Sequence, residues 1–90
     1  MSANGTIDLI VEDLSGQMRR RARGVPSEAT VGDLITGLTQ DLRLPANDLQ
    51  GRPLTYGARA HGESLVESDR IGDVLESEEV VTLVQNVTAG

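Results

Sequence analysis

The chain contains no cysteine, phenylalanine, tryptophan or lysine, and Tyr56 is its one aromatic residue. Without cysteine there is no disulfide framework, thiolate metal site or thiol nucleophile. Without Phe and Trp, the core has to be filled by Leu, Ile and Val. The surface also lacks the interleaved aromatics on which unpaired bases stack. Without lysine, no side chain of these 90 residues offers a primary amine, and all eight basic residues are arginine. No apolar run approaches the ~20 residues needed to span a bilayer. Met1-Ser-Ala-Asn-Gly5 has neither a basic stretch nor an apolar one, so no secretory leader is expected and the default is a soluble, cytoplasmic protein.

What is present describes one small globular domain. Of the 90 residues, 38% are apolar and 24% are charged, a composition that folds. Fourteen acidic residues against eight basic ones give a net charge of −6. Such a balance disfavours nucleic acid and anionic membrane as partners, because the phosphate contribution is repulsive.

Residues 1–5 are small and polar and are expected to form a flexible leader. Thr6 to Val11 reads as a strand with Ile7, Leu9 and Val11 on one face and Asp8 and Ile10 on the other. Asp13-Leu-Ser-Gly16 is a turn, with Gly16 free to take positive φ, and a second strand from Gln17 to about Arg23 closes a hairpin. Strict alternation in that strand buries Met18 and Ala22 and lines up Arg19, Arg21 and Arg23 in solvent. The stripe is a docking surface for an acidic partner, a nucleic-acid patch, which the missing aromatics disfavour, or a solvated face balanced by nearby carboxylates.

Thr30 is placed to cap a helix, with Asp33 completing a capping box. Val31, Leu34, Ile35, Leu38 and Leu42 follow helical spacing, and Pro45 ends the helix near Arg43 or Leu44, giving a helix over about 30–43. A short strand around Leu54–Tyr56 follows, then a loop over Gly57–Gly62 and a very short strand at Leu65–Val66. Ser68 to Leu75 looks like a helical turn that tucks in Ile71 and Val74 or Leu75. Val80 to Gln85 is the last strand, with Val81 and Leu83 inward and Thr82 and Val84 outward. This order predicts an α+β fold: a mixed four- to five-stranded sheet with one main helix on one face, and the apolar first and last strands parallel at the centre.

The hairpin from Ile7 to Gly16, the capped helix Thr30-Val-Gly-Asp-Leu-Ile35 and the segment Leu75 to Val84 together resemble the ubiquitin-like β-grasp family, over residues 6–90. Counting back from Gly90, Leu83 and Val81 fall without a gap where ubiquitin has its last-strand core leucines. Gly90 stands where the family's conjugated glycine stands, and Ala89 replaces the glycine usual before it. The arginine-rich second strand and a loop between Tyr56 and Leu65 longer than ubiquitin's depart from the pattern. The family's exposed apolar patch maps onto Leu14, Thr82 and Val84, with Thr55 beside them. This patch is more polar than ubiquitin's, so readers of eukaryotic ubiquitin are not expected to recognise it.

Nothing in the sequence suits an enzyme. His61 sits in a glycine-flanked loop as a surface histidine, and no glycine-rich phosphate loop is present. Asp69, Asp73 and Glu76 read as a solvated face rather than a metal site, and no cofactor is implied. The C-terminal segment supports chemistry as a substrate. Five residues from Asn86, if extended, reach about 16–18 Å, and Ala89 and Gly90 are slim enough to thread a narrow channel.

The resemblance therefore implies a bacterial ubiquitin-like modifier with a domain over 6–86 and a flexible tail over 87–90. Val87, Thr88 and Ala89 would be recognised and Gly90 conjugated. The implied partners are an E1-like adenylating enzyme, an E2-like carrier, a deconjugating peptidase and target proteins, with the free protein a monomer. Two alternatives stand beside it. One is a non-conjugated interaction module like the small ubiquitin-like proteins associated with type VII secretion. The other is a sulfur carrier.

Overall fold

The structure, a computed structural model, describes residues 5–87. Most of the expected leader and tail, including Thr88, Ala89 and Gly90, lies outside them. Five strands and two helices follow in the order β1 (Thr6–Asp13), β2 (Arg19–Pro26), α1 (Val31–Asp41), β3 (Leu54–Ala60), β4 (Glu63–Ser64), α2 (Ile71–Val74) and β5 (Glu79–Val87). The sheet order is β2-β1-β5-β3-β4. β1 and β5 are parallel, and every other pairing is antiparallel.

The central placement of β1 and β5 follows from their two-sided apolar content. Leu9, Val11, Val81 and Leu83 face α1 and are buried, and Val31, Leu34, Ile35 and Leu38 of α1 complete the layer. Ala58, Ala60, Ile71 and Leu75 fill the rest. With small alanines on β3 and Tyr56 packed against its margin, the buried core is thin and wholly aliphatic.

Thr30 is the N-cap: its hydroxyl accepts from the Asp33 N–H at 3.1 Å, and the Asp33 carboxylate accepts from the Thr30 N–H at 3.2 Å. The free N–H groups of Val31 and Gly32 donate to the carbonyls of Asp69 and Glu67, so the segment before α2 completes the helix start. The helix ends at Asp41, two residues short of the sequence expectation. Arg43 takes φ 55°, and the N–H groups of Arg43 and Leu44 return to the carbonyls of Gln40 and Thr39. This is a Schellman motif built without glycine; it stops the helix before Pro45 can.

Four strand expectations are corrected. The second strand begins at Arg19 and runs to Pro26, because the turn extends to Met18, whose carbonyl accepts from the Asp13 N–H at 3.2 Å. Gly57-Ala-Arg-Ala60 is not a loop but the continuation of β3, held by pairing with β5. The connection is a two-residue turn, His61-Gly62, with φ 58° and 75°, the twist that a tight hairpin requires. The apparent long loop is therefore a hairpin, and β4 falls at Glu63–Ser64 rather than at Leu65–Val66. At the other end of the chain, β5 runs past Gln85 to Val87, which stands opposite Leu54.

Candidate functional site: the open sheet face and the end of the last strand

The sheet face away from α1 is uncovered by any described element. Its composition follows from register: whatever alternates with the buried positions must face out. One cross-strand row reads Arg19, Glu12, Thr82, Arg59, Ser64, and the next contains Arg21, Ile10 and Val80. Val84 stands opposite Gly57, and Asn86 opposite Thr55. Ile10 and Val80 thus stand side by side, with Arg19 and Arg21 on the β2 side and Arg59 on the β3 side, and the Glu12–Thr82 row separates them from Val84. Val80 is 40% exposed.

The structure places Thr82 and Val84 on this face, as alternation predicted. Leu14 lies at the β1–β2 turn, 67% exposed, and joins Thr82, Val80 and Arg59 around a depression of about 310 Å³. Val84 does not line that depression, and Thr55 is at the far end of the sheet beside Asn86. Val80 and Ile10 were not singled out from the sequence as part of this surface. Their signal was available, since each alternates with buried residues of its strand, Ile10 with Leu9 and Val11 and Val80 with Val81.

A bulge interrupts the second strand next to the three arginines. Ile7 pairs with Val25 but Leu9 pairs with Ala22, so Asp8 alone faces both Arg23 and Gly24. Gly24 adopts φ 66° in this bulge and donates its N–H to Asp8 Oδ1 at 2.9 Å. The extra residue breaks the alternation at Gly24, after Arg23. Arg19 and Arg21 are engaged with their own neighbours. Arg19 pairs with Glu12, and Arg21 Nη1 donates to both Glu78 carboxylate oxygens at 2.8 and 2.9 Å. Exposed pairs of this kind are worth roughly 0–1 kcal/mol, so a stronger partner carboxylate can replace them.

His61 is exposed at the tip of the β3–β4 hairpin, its Nε2 2.5 Å from Glu79 Oε2. Glu79 Oε1 accepts from the Glu76 N–H at 2.6 Å, so one carboxylate ties the hairpin tip to the turn before β5. Among the described residues no group of three or more His, Cys, Asp or Glu is disposed to hold a metal ion.

The end of β5 is the second part of the site. Val87 is paired to Leu54 at the start of β3, so the chain beyond it leaves from the edge formed by these two strand ends. Three residues, Thr88, Ala89 and Gly90, follow, and covalent geometry limits them to about 10–11 Å of reach.

No protein-family model matches the chain, and no curated protein sequence is significantly similar to it. Solved structures do match in fold. A structure described under the heading of molecular mimicry of SUMO that promotes DNA repair superposes with a TM-score of 0.70 at 23% identity, over 89% of this chain and 91% of that one. The ubiquitin of Caldiarchaeum subterraneum superposes with a TM-score of 0.72 at 17% identity, over 96% of this chain and 100% of that one. Agreement over nearly the full length of each chain, with the same mixed sheet grasping a single main helix, establishes that this protein has the ubiquitin-like β-grasp fold.

Proposed function

We propose that the chain is a ubiquitin-like protein modifier that reacts through the carboxylate of Gly90. The fold supports this reading, and so does the course of β5, a central strand whose end is followed by three small residues. That course is the observation that carries it. Gly90 is the reacting residue whether the chain ends there in the cell or is cut there by a processing peptidase.

A terminal carboxylate has a reference pKa of about 3.3–3.7 and is ionised at neutral pH. In an E1-like adenylating enzyme it attacks the α-phosphorus of ATP and displaces pyrophosphate, giving an acyl-adenylate. A cysteine thiolate of that enzyme then attacks the acyl carbon and releases AMP. Transfer to an E2-like carrier and on to a target amine completes conjugation, and a deconjugating peptidase reverses it. Val87, Thr88 and Ala89 are the residues the enzymes grip. The open face, with Leu14, Ile10, Val80, Thr82 and Val84 between arginines, is the docking surface for proteins with an apolar centre and an acidic rim.

The test is incubation with ATP and the E1-like enzyme of the same cells, followed by mass spectrometry. A Gly90-dependent adduct is expected. Two other outcomes would replace the reading. Full activity after removal of residues 87–90 would favour an interaction module that works through the open face alone. Exchange of one oxygen for sulfur at the terminus would favour a sulfur carrier.

A further inference from the structure

Between α1 and β3 the chain makes a compact excursion whose tip carries Leu49, the most exposed large apolar side chain among the described residues at 106%. A single exposed leucine is ordinary on a protein surface, but the turn that carries this one is tightly built. Asp48 Oδ1 accepts from the N–H groups of Gln50 and Arg52 at 2.9 and 2.8 Å, and Asp48 Oδ2 accepts from Arg52 Nε at 2.8 Å. The Asp48 N–H donates to the Arg52 carbonyl and the Gly51 N–H to the Asp48 carbonyl. Asn47 bridges to Pro53, and the Leu54 N–H donates to the Ala46 carbonyl, closing the base of the excursion. The backbone around Leu49 is bonded inward while its side chain stands in water.

The position of this turn supplies the partner. Its base closes on Leu54, and Leu54 is the residue paired with Val87. The next nearest connection at that end, the β1–β2 turn, begins at Asp13, whose β5 partner is Leu83, four residues earlier. With about 10–11 Å of chain beyond Val87, an enzyme active site that reaches Gly90 has to lie against this edge. We propose that Leu49 is a docking anchor that enters an apolar pocket of the adenylating enzyme while the residues after Val87 are held in its channel. The proposal rests on the modifier reading above and adds a second, tail-independent contact to it. An anchor on a pre-bonded turn loses little freedom on burial, which is where an exposed leucine gives the most affinity.

The experiment compares the unaltered chain with Leu49→Asp and Leu49→Met in ATP–pyrophosphate exchange by the purified E1-like enzyme of the same cells. Urea midpoints verify that the fold is untouched. Leu49→Asp is expected to raise KM for the chain about tenfold with kcat within twofold, and Leu49→Met to restore it. The same tenfold loss of affinity is expected when binding is measured on a chain lacking residues 88–90. Exchange that requires Gly90 but ignores Leu49→Asp overturns the anchor and leaves the modifier reading standing. Absence of exchange with the unaltered chain overturns both.

Discussion

Two kinds of residue set the stability of this protein, the aliphatic core and the carboxylates that close turns. Leu83 is 4% exposed, lies opposite Ala58 and faces α1. Leu83→Ala deletes three carbons from a buried position of that core. It is expected to cost about 2–5 kcal/mol in urea denaturation. Asp13 and Asp48 act at the surface. The Ser15 hydroxyl, with the backbone N–H groups of Met18, Gly16 and Gln17, holds the Asp13 carboxyl below its ordinary range. The Arg52 backbone N–H, then its side chain and the N–H groups of Gln50 and Gly51, do the same for Asp48. A carboxyl whose folded pKa is depressed contributes stability that is present above its unfolded pKa and lost as pH falls through the folded value. The urea midpoint should therefore decline below about pH 4, and Asp13→Ala with Asp48→Ala should flatten that decline while lowering the midpoint at pH 7. A midpoint whose pH dependence is unchanged in the double variant would refute the assignment.

At the scale of elements, two glycines with equally open surroundings should respond to alanine in opposite directions. A Cβ at Gly24 or at Gly37 would meet nothing within 4 Å, so packing does not decide either case. Gly24 has φ 66° in the β1–β2 bulge, where Cβ crowds the following carbonyl, and Gly24→Ala is expected to destabilise by about 1–2 kcal/mol. Gly37 is exposed on α1 with ordinary helical backbone, and Gly37→Ala is expected to stabilise by about 0.5–1 kcal/mol. Thermal melts of the two variants read the sign directly. The same two elements show what local sequence can disclose. The N-terminus of α1 was legible because Thr30 and Asp33 cap it through neighbouring backbone. The bulge was not, because Gly24 is placed by its bond to Asp8, sixteen residues away.

For the molecule as a whole, the absence of lysine governs how it can be used. Amide bond formation by a side chain needs a primary amine, and these 90 residues supply none. If the chain is conjugated, no isopeptide bond should join one copy to a side-chain amine of another, and conjugates should consist mainly of single units. Tryptic mapping of conjugates tests this, and a polymer linked elsewhere than at an N-terminal amine or a hydroxyl would contradict it. Composition and periodicity alone determined the aliphatic core, the capped helix, the inward faces of the first and last strands and their central pairing. Those features depend on residues within a few positions of one another, or on apolar content that has only one place to go. Tertiary structure decided the length of β3, the His61-Gly62 hairpin, the bulge at Gly24 and the run of β5 to Val87. Each of these is set by hydrogen bonding to a strand or carboxylate distant in sequence. Gly57-Ala-Arg-Ala60 carries too little apolar pattern to mark a strand, and becomes one only because β5 presents it with a partner. Leu49 reads as one more leucine until the fold sets it in water beside the end of the last strand.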